Sequence, residues 1–258
     1  MALMGLPATF GAEQQKKKKK GGRGKKKPAQ DVSPYDKYYA QRYQYFSLFD
    51  YGVMIDEVGW YSVCPEEISV HVAKRCACNV IIDAFCGVGG NAIHFAKTCN
   101  FVIAVDLDPV RLACARHNAS IYGVEHKIEF VLGSYLDVIP RANADVVFLA
   151  PPWGGPDYVH ADVFDIDTMI PLHGSKLYQQ TRAITPNICY QLPKNCDKKK
   201  VAQLARLGPI GVSNNLEGAG EPAAGENVGD GVCEIEDNYL GESLKMMTAY
   251  FGGLVAPP

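Results

Sequence analysis

One short segment restricts the fold of this chain more than any other. Val80-Ile81-Ile82, three β-branched residues in a row, runs directly into Asp83-Ala84-Phe85-Cys86-Gly87-Val88-Gly89-Gly90-Asn91. β-Branched side chains favour a strand, and the glycines let the backbone turn tightly and approach a ligand at the start of the next helix. A strand, a glycine turn and a helix in that order form the opening unit of an α/β sheet. The pattern continues downstream. A helix is predicted over 66–75 after Pro65, another over 91–98, a strand over 101–105, and a helix over 109–122 with Asp108 as its N-cap and Gly123 at its end. Strands at 128–131 and 146–149, a helix over 175–185 and a strand at 187–192 follow. The segments 233–239 and 244–251, joined by Leu240-Gly241-Glu242-Ser243, read as an antiparallel hairpin. The prediction is a mostly parallel, doubly wound sheet closed by that hairpin.

The ends of the chain differ from this core. Nine of the twelve residues from 16 to 27 are Lys or Arg, whereas the chain from Pro28 onward holds 17 basic and 27 acidic residues, a net charge of −10. Residues 1–33 carry too little apolar surface to offset the entropy of ordering, so a disordered basic tail is expected, readable as a nuclear-import signal or an RNA-attracting segment. An acidic body argues against a broad phosphate-tracking surface. Any nucleic acid is therefore expected to be gripped locally, at an end or a single nucleotide. Residues 34–75 are assigned to a helical extension, in which Tyr35, Tyr38, Tyr39, Arg42, Tyr43 and Phe46 fall at helical spacing over 35–51, and residues 76–258 to the catalytic domain. A Gly- and Glu-rich stretch from about 208 to 231 reads as a mobile insertion. No apolar run approaches the roughly 20 residues a membrane span needs, and the cysteines form no second pair at zinc spacing to match Cys76 and Cys78. The expectation is a soluble intracellular protein with reduced thiols, no metal and no membrane partner.

Nineteen residues beyond Gly87, Asp106 closes the second strand, where a carboxylate can take both hydroxyls of a ribose. That much suits either a dinucleotide or S-adenosylmethionine. Asp83 separates them: an acid at the end of the first strand repels a pyrophosphate and attracts the ammonium of a methionine moiety. S-adenosylmethionine is the expected cofactor. The fourth strand then ends in Ala150-Pro151-Pro152-Trp153-Gly154-Gly155-Pro156-Asp157-Tyr158. Two prolines hold an extended turn in which the Ala150 and Pro151 carbonyls face a substrate amine, and Trp153 offers a stacking plane. The turn points to methylation of an amino group on a planar substrate.

These residues resemble the trimethylguanosine synthase family, RNA cap guanosine-N2 methyltransferases. The likeness runs from about residue 35 to the C-terminus through Lys37-Tyr38-Tyr39-Ala40-Gln41-Arg42-Tyr43, Gly59-Trp60-Tyr61-Ser62-Val63, the glycine turn, the Pro-Pro-Trp turn, Phe164-Asp165-Ile166 and Thr248-Ala249-Tyr250-Phe251-Gly252. It implies a Rossmann-like class I methyltransferase fold. It further implies that Asp83, Ala84, Gly87, Gly89, Asn91 and Asp106 bind S-adenosylmethionine, with Phe46, Ser62, Cys64 and Ser134 lining the same pocket. Trp153 would stack on 7-methylguanine, while Lys37, Tyr158, Lys194 and Asn195 hold the cap. A cationic base over an indole gains about 2 kcal/mol when desolvated, which an unmethylated guanine lacks. Capped small nuclear and nucleolar RNAs, ribonucleoprotein proteins and a nuclear location, nucleolus or Cajal body with the cytoplasm as a second site, follow from the same likeness.

Three positions depart from the family pattern: Ala150 stands where a serine is usual, Lys194 where arginine is common, and Ser134 where an aspartate is usual. The first removes a hydroxyl beside the target amine, the second a two-pronged phosphate grip, and the third a contact to the adenine amine. No general base is assigned. Two further readings stay open on the sequence: a cap-binding adaptor with weakened catalysis, and a methyltransferase for another planar amine such as adenine N6.

Overall fold

The computed structural model describes residues 36–138, 142–155, 160–168, 172–210 and 231–257. Seven strands form one sheet in the order β3-β2-β1-β4-β5-β7-β6. They are β1 (Val80–Asp83), β2 (Phe101–Asp106), β3 (Ile128–Leu132), β4 (Val146–Leu149), β5 (Ile188–Pro193), β6 (Cys233–Leu240) and β7 (Ser243–Phe251). β1 to β5 pair in parallel; β7 runs antiparallel to β5 and carries β6 on its outer side. The predicted mixed sheet, with its closing hairpin, is present.

Alternation along the central strands assigns each face its own core. Ile81, Val146, Phe148, Cys189, Met246 and Tyr250 point to one side, packed with α4 (Glu66–Arg75), α5 (Gly90–Thr98) and α6 (Pro109–Ile121). Ile82, Val147, Leu149, Tyr190, Leu192, Met247 and Phe251 point to the other, against α8 (Gly174–Thr181) and α9 (Lys198–Gln203). Covering both faces is what a parallel sheet requires, because its strands are apolar on both sides. All nine cysteines are free thiols, and seven of them are buried among these side chains.

Two predicted helices come out shorter. The aromatic segment over 35–51 is split into α1 (Asp36–Tyr39), α2 (Arg42–Tyr45) and a single 3₁₀ turn at Phe49–Tyr51, and the short α3 (Gly59–Ser62) follows it. Side chains take the carbonyls that a continuous helix would use: Gln41 Nε2 donates to the Lys37 carbonyl at 3.2 Å and Arg42 Nη1 to that of Tyr39 at 3.1 Å. The Arg42 guanidinium then stacks over Tyr39 and Tyr43, 4.6 and 4.3 Å from their ring centres. Helix α8 stops at Thr181, four residues short of expectation; Ala183 and Ile184 turn back to Gln180 and Thr181, and Pro186 disfavours helical backbone in the residue before it. Of the predicted insertion over 208–231, residues 211–230 lie outside the described ones. At its near edge, Gln179 donates to the Gly208 carbonyl at 3.3 Å and accepts the Ile210 amide at its own carbonyl.

The helix predicted from Asp108 onward starts there. Asp108 Oδ1 accepts the Val110 and Arg111 amides at 2.8 and 3.3 Å, and Gly123 follows the helix at φ +71°. Replacing Asp108 with Ala is expected to cost about 1 kcal/mol of stability, read as a lower urea midpoint with an unchanged denaturant slope.

Candidate active site

The strand order reverses direction between β1 and β4, and in an open α/β sheet ligands bind outside the carboxyl ends of the strands at such a switch point. Here β1 ends in Asp83 and β4 ends at Leu149, with Ala150, Pro151, Pro152 and Trp153 directly after it. The Ala84 amide donates to the Phe148 carbonyl at 3.1 Å, so the glycine turn and the Pro-Pro-Trp turn leave the sheet side by side. Two segments 60 residues apart in sequence thus share one crevice.

Asp83 is 1% exposed, and both its carboxylate oxygens lack a hydrogen-bond partner among the described residues. Burial pushes its carboxyl up to about 7, and the negative charge of Asp106 adds to this; the nearby Phe85 and Ala92 amides pull the other way without reaching hydrogen-bond geometry. At the first turn of α5, Asn91 Oδ1 is a second buried acceptor with no donor among the described residues. Buried acceptors left unpaired are costly. A ligand ammonium, with three N–H donors and a positive charge, satisfies what these residues lack, and S-adenosylmethionine carries one on its methionine moiety.

The turn itself is held from three directions. Asp106 accepts the Gly87 amide at Oδ2, 2.8 Å, and the Asp108 amide at Oδ1, 2.9 Å. This carboxylate therefore shapes the turn and retains further lone pairs for the hydroxyls expected of it. Gly87 has φ +52° with open space where a Cβ would stand, as a residue facing a ligand requires. Gly89, at φ +90°, answers a different need: a Cβ there would lie 3.1 Å from the Ala115 backbone on α6. The third support is Asn118, fully buried on α6. Its Nδ2 donates to the Val88 and Met54 carbonyls at 2.9 and 2.8 Å, and its Oδ1 accepts the Met54 amide at 2.8 Å. Sequence reading passed over Asn118; the available signal was an Asn opposite the exposed side of a helix, flanked by Ala115 and Ala119. The N-terminal segment rests on the same turn through Val63, whose Cγ2 would meet a Cβ on Gly90 at 3.0 Å.

The other predicted residues are distributed as follows. Ala84 is buried, and Phe46 is 1% exposed, its ring packed 6.2 Å from Tyr122 within the core. Cys64 is buried near Asp83; burial raises its thiol to about 11, and it accepts from Gln191 Nε2 at 3.5 Å. Ser62 is exposed, its hydroxyl donating to the Val58 carbonyl at 2.8 Å, and Ser134 Oγ accepts the Leu136 amide at 3.2 Å as the cap of α7 (Tyr135–Val138). Burial also raises the Cys86 thiol well above its ordinary range, which removes it as a nucleophile.

Around the second turn, Pro151 is buried, and Trp153 is half-buried and packed against both core clusters. Gly154 and Gly155 follow at φ +83° and +86°. Tyr158 lies outside the described residues. Lys194 is exposed directly after β5, and Asn195 Nδ2 donates to the Ala161 carbonyl at 2.8 Å, bracing the loop that follows the Pro-Pro-Trp turn. Lys37 is exposed on α1, its ammonium 4.6 Å from the Tyr38 ring centre.

Because burial favours the protonated form of Asp83, the folded chain holds that proton more tightly than the unfolded chain, whose carboxyl titrates near 3.8. The resulting stability is complete below about pH 4 and is lost as pH rises through 7. Asp83→Asn, without ligand, is expected to melt above the wild type at pH 8, the difference shrinking as pH falls through 7. Parallel melting profiles for the two proteins between pH 5 and 8 contradict this.

Comparison with known proteins agrees with this geometry. A putative methyltransferase from Porphyromonas gingivalis W83 superposes over 85% of this chain and 48% of its own with a TM-score of 0.57 at 13% identity, a likeness of fold. The trimethylguanosine synthase of Schizosaccharomyces pombe is 39% identical over 176 residues, 64% of this chain and 73% of that protein. That of Saccharomyces cerevisiae is 36% identical over 189 residues, 67% of this chain and 60% of that protein. Residues 78–252 match the model of the RNA cap guanine-N2 methyltransferase family, and they hold the glycine turn, Asp106 and the Pro-Pro-Trp turn; the chain belongs to that family.

Proposed function

We propose that this chain transfers methyl groups from S-adenosylmethionine to N2 of a 7-methylguanosine RNA cap, giving the 2,2,7-trimethyl form. The observation that carries the reading is the pair of turns at the sheet's switch point: an unpartnered buried acid on β1 beside an aromatic Pro-Pro-Trp turn on β4. When bound, S-adenosylmethionine supplies a methyl on a cationic sulfur, which becomes a neutral thioether as the N2 lone pair forms the new N–C bond and an N2 proton passes to water. The protein's own part is to hold and align. Asp83 and Asn91 meet the ammonium, Asp106 the ribose hydroxyls, and Gly87 lets the backbone come close. Trp153 presents its indole to the cationic base, and a carbonyl of the proline turn holds the amine for attack. Burial of Asp83 keeps water away from this carboxylate, which strengthens its contact with the ammonium.

The proposal extends to partners and place. Small nuclear and nucleolar RNAs, met together with their ribonucleoprotein proteins, are the proposed substrates, and the nucleus, nucleolus or Cajal body with the cytoplasm as a second site, the proposed location. The basic run over 16–27 supports import, and the acidic body supports a local grip on the cap end in preference to a grip along the RNA.

Mass spectrometry of a 7-methylated cap dinucleotide incubated with S-adenosylmethionine tests the reaction. The expected products carry one and then two added methyls, with an unmethylated cap turned over at least about tenfold more slowly, the cation–π contribution at work. Equal turnover of both caps points to a different planar amine. Trp153→Ala is expected to lose cap binding by about tenfold or more while cofactor affinity stays within about twofold.

A further inference from the structure

Ala150 brings no polar side chain to the place where the target amine is fixed. The neighbouring strand does. The β4/β5 register ends with Leu149 paired to Tyr190, and the next residues along the two chains are Ala150 and Gln191. Adjacent strands lie about 4.8 Å apart, and partners across a parallel pair share a face. Ala150 packs against the same core cluster that contains Cys189, two residues before Gln191 and therefore on Gln191's face. A glutamine side chain spans such a gap with its carboxamide.

The hydrogen bonds around Gln191 leave one half of that carboxamide unused. The side chain is 3% exposed. Its Nε2 donates to Cys64 Sγ at 3.5 Å, and the Cys64 thiol in turn donates to the Met246 sulfur at 3.8 Å, so Cys64 is the acceptor of the pair. On the other side, β7 sets Thr248 opposite Gln191, but the Thr248 hydroxyl gives its proton to Asn238 Oδ1 at 2.6 Å. Neither of these two neighbours, Cys64 or Thr248, thus donates to Gln191 Oε1. A buried amide whose N–H end is held in place presents its carbonyl oxygen in a fixed direction, as a preorganised acceptor does.

Resting on the function proposed above, we propose that Gln191 Oε1 accepts an N–H of the substrate amine, supplying from β5 the side-chain acceptor that β4 lacks at Ala150. A planar amine has two N–H groups. With one held by a carbonyl of the proline turn and the other by Gln191, its lone pair is directed at the methyl. The N–H groups become more acidic as the nitrogen gains charge, so the bond tightens in the transition state and acts mainly on kcat.

The test compares wild type with Gln191→Leu in methyl transfer to a 7-methylated cap dinucleotide, alongside cap and cofactor dissociation constants and melting temperature. The expected result is a kcat lowered about tenfold, equivalent to losing roughly one hydrogen bond, with KM within about twofold. Ala150→Ser is then expected to raise the rate of Gln191→Leu by a larger factor than it raises that of wild type, because a hydroxyl at one position replaces the carbonyl at the other. Should Gln191→Leu lose its cooperative melting transition, Gln191→Met, which keeps the length of the side chain, takes its place. A kcat within twofold of wild type, or an equal effect of Ala150→Ser in both backgrounds, overturns the inference. A wild-type protein that binds the cap and transfers no methyl overturns the proposed function itself, and this inference with it.

Discussion

A carboxylate enclosed at the end of the first strand, with no hydrogen-bond partner among the described residues, is the constraint on which the rest of this molecule depends. Asp83 is all but inaccessible to water and its two oxygens are unpartnered. A protein pays for such a group in stability, and here burial answers by moving the carboxyl toward neutral pH, where a bound ammonium can ionise it again. The position follows from topology. β1 is the strand at which the sheet changes winding direction, so its carboxyl end opens onto the crevice between oppositely wound halves.

Much of the surrounding structure keeps that crevice in shape. Asp106 anchors the Gly87 amide, Asn118 ties the turn at Val88 to the N-terminal segment at Met54, and Gly89 and Gly90 allow α6 and Val63 to close in on it. The N-terminal segment contributes Phe46, Val53 and Cys64 to the same core that backs the glycine turn. On the far side, Asn195 and the Phe164–Cys196 bridge secure the chain after the Pro-Pro-Trp turn. The cofactor half of the site thus packs on both faces of the sheet, Cys86 and Val88 on one and Ala84 and Phe85 on the other, and the half built on β4 and β5 also joins both faces through Trp153.

What could be read from the sequence was whatever is written in local periodicity and short motifs. Strands, the Asp108 cap, the closing hairpin and the two turns are local, and each falls within a residue or two of its expected place. The failures arise where side chains act over a distance. Nothing in the spacing of Tyr35 to Phe46 shows that Gln41 and Arg42 would capture the carbonyls of α1 and end it. Asn118 and Gln191 matter through partners 30 or more residues away in sequence, at Val88, Met54 and Cys64. Their roles emerge only once strand order is known. Phe46 also packs in the core and Ser134 also caps α7, contacts that the family likeness does not spell out.

If the enclosed acid exists to receive an ammonium, ligand binding must change its protonation. The direct measurement is calorimetric titration of S-adenosylmethionine at pH 6 in buffers of different ionisation enthalpy, which counts protons exchanged on binding. With its carboxyl near 7 in the free protein, Asp83 is mostly protonated at that pH and ionised in the complex. Release of close to one proton by the wild type, absent in Asp83→Asn, is the predicted result. Tight binding without proton release in the wild type contradicts the account.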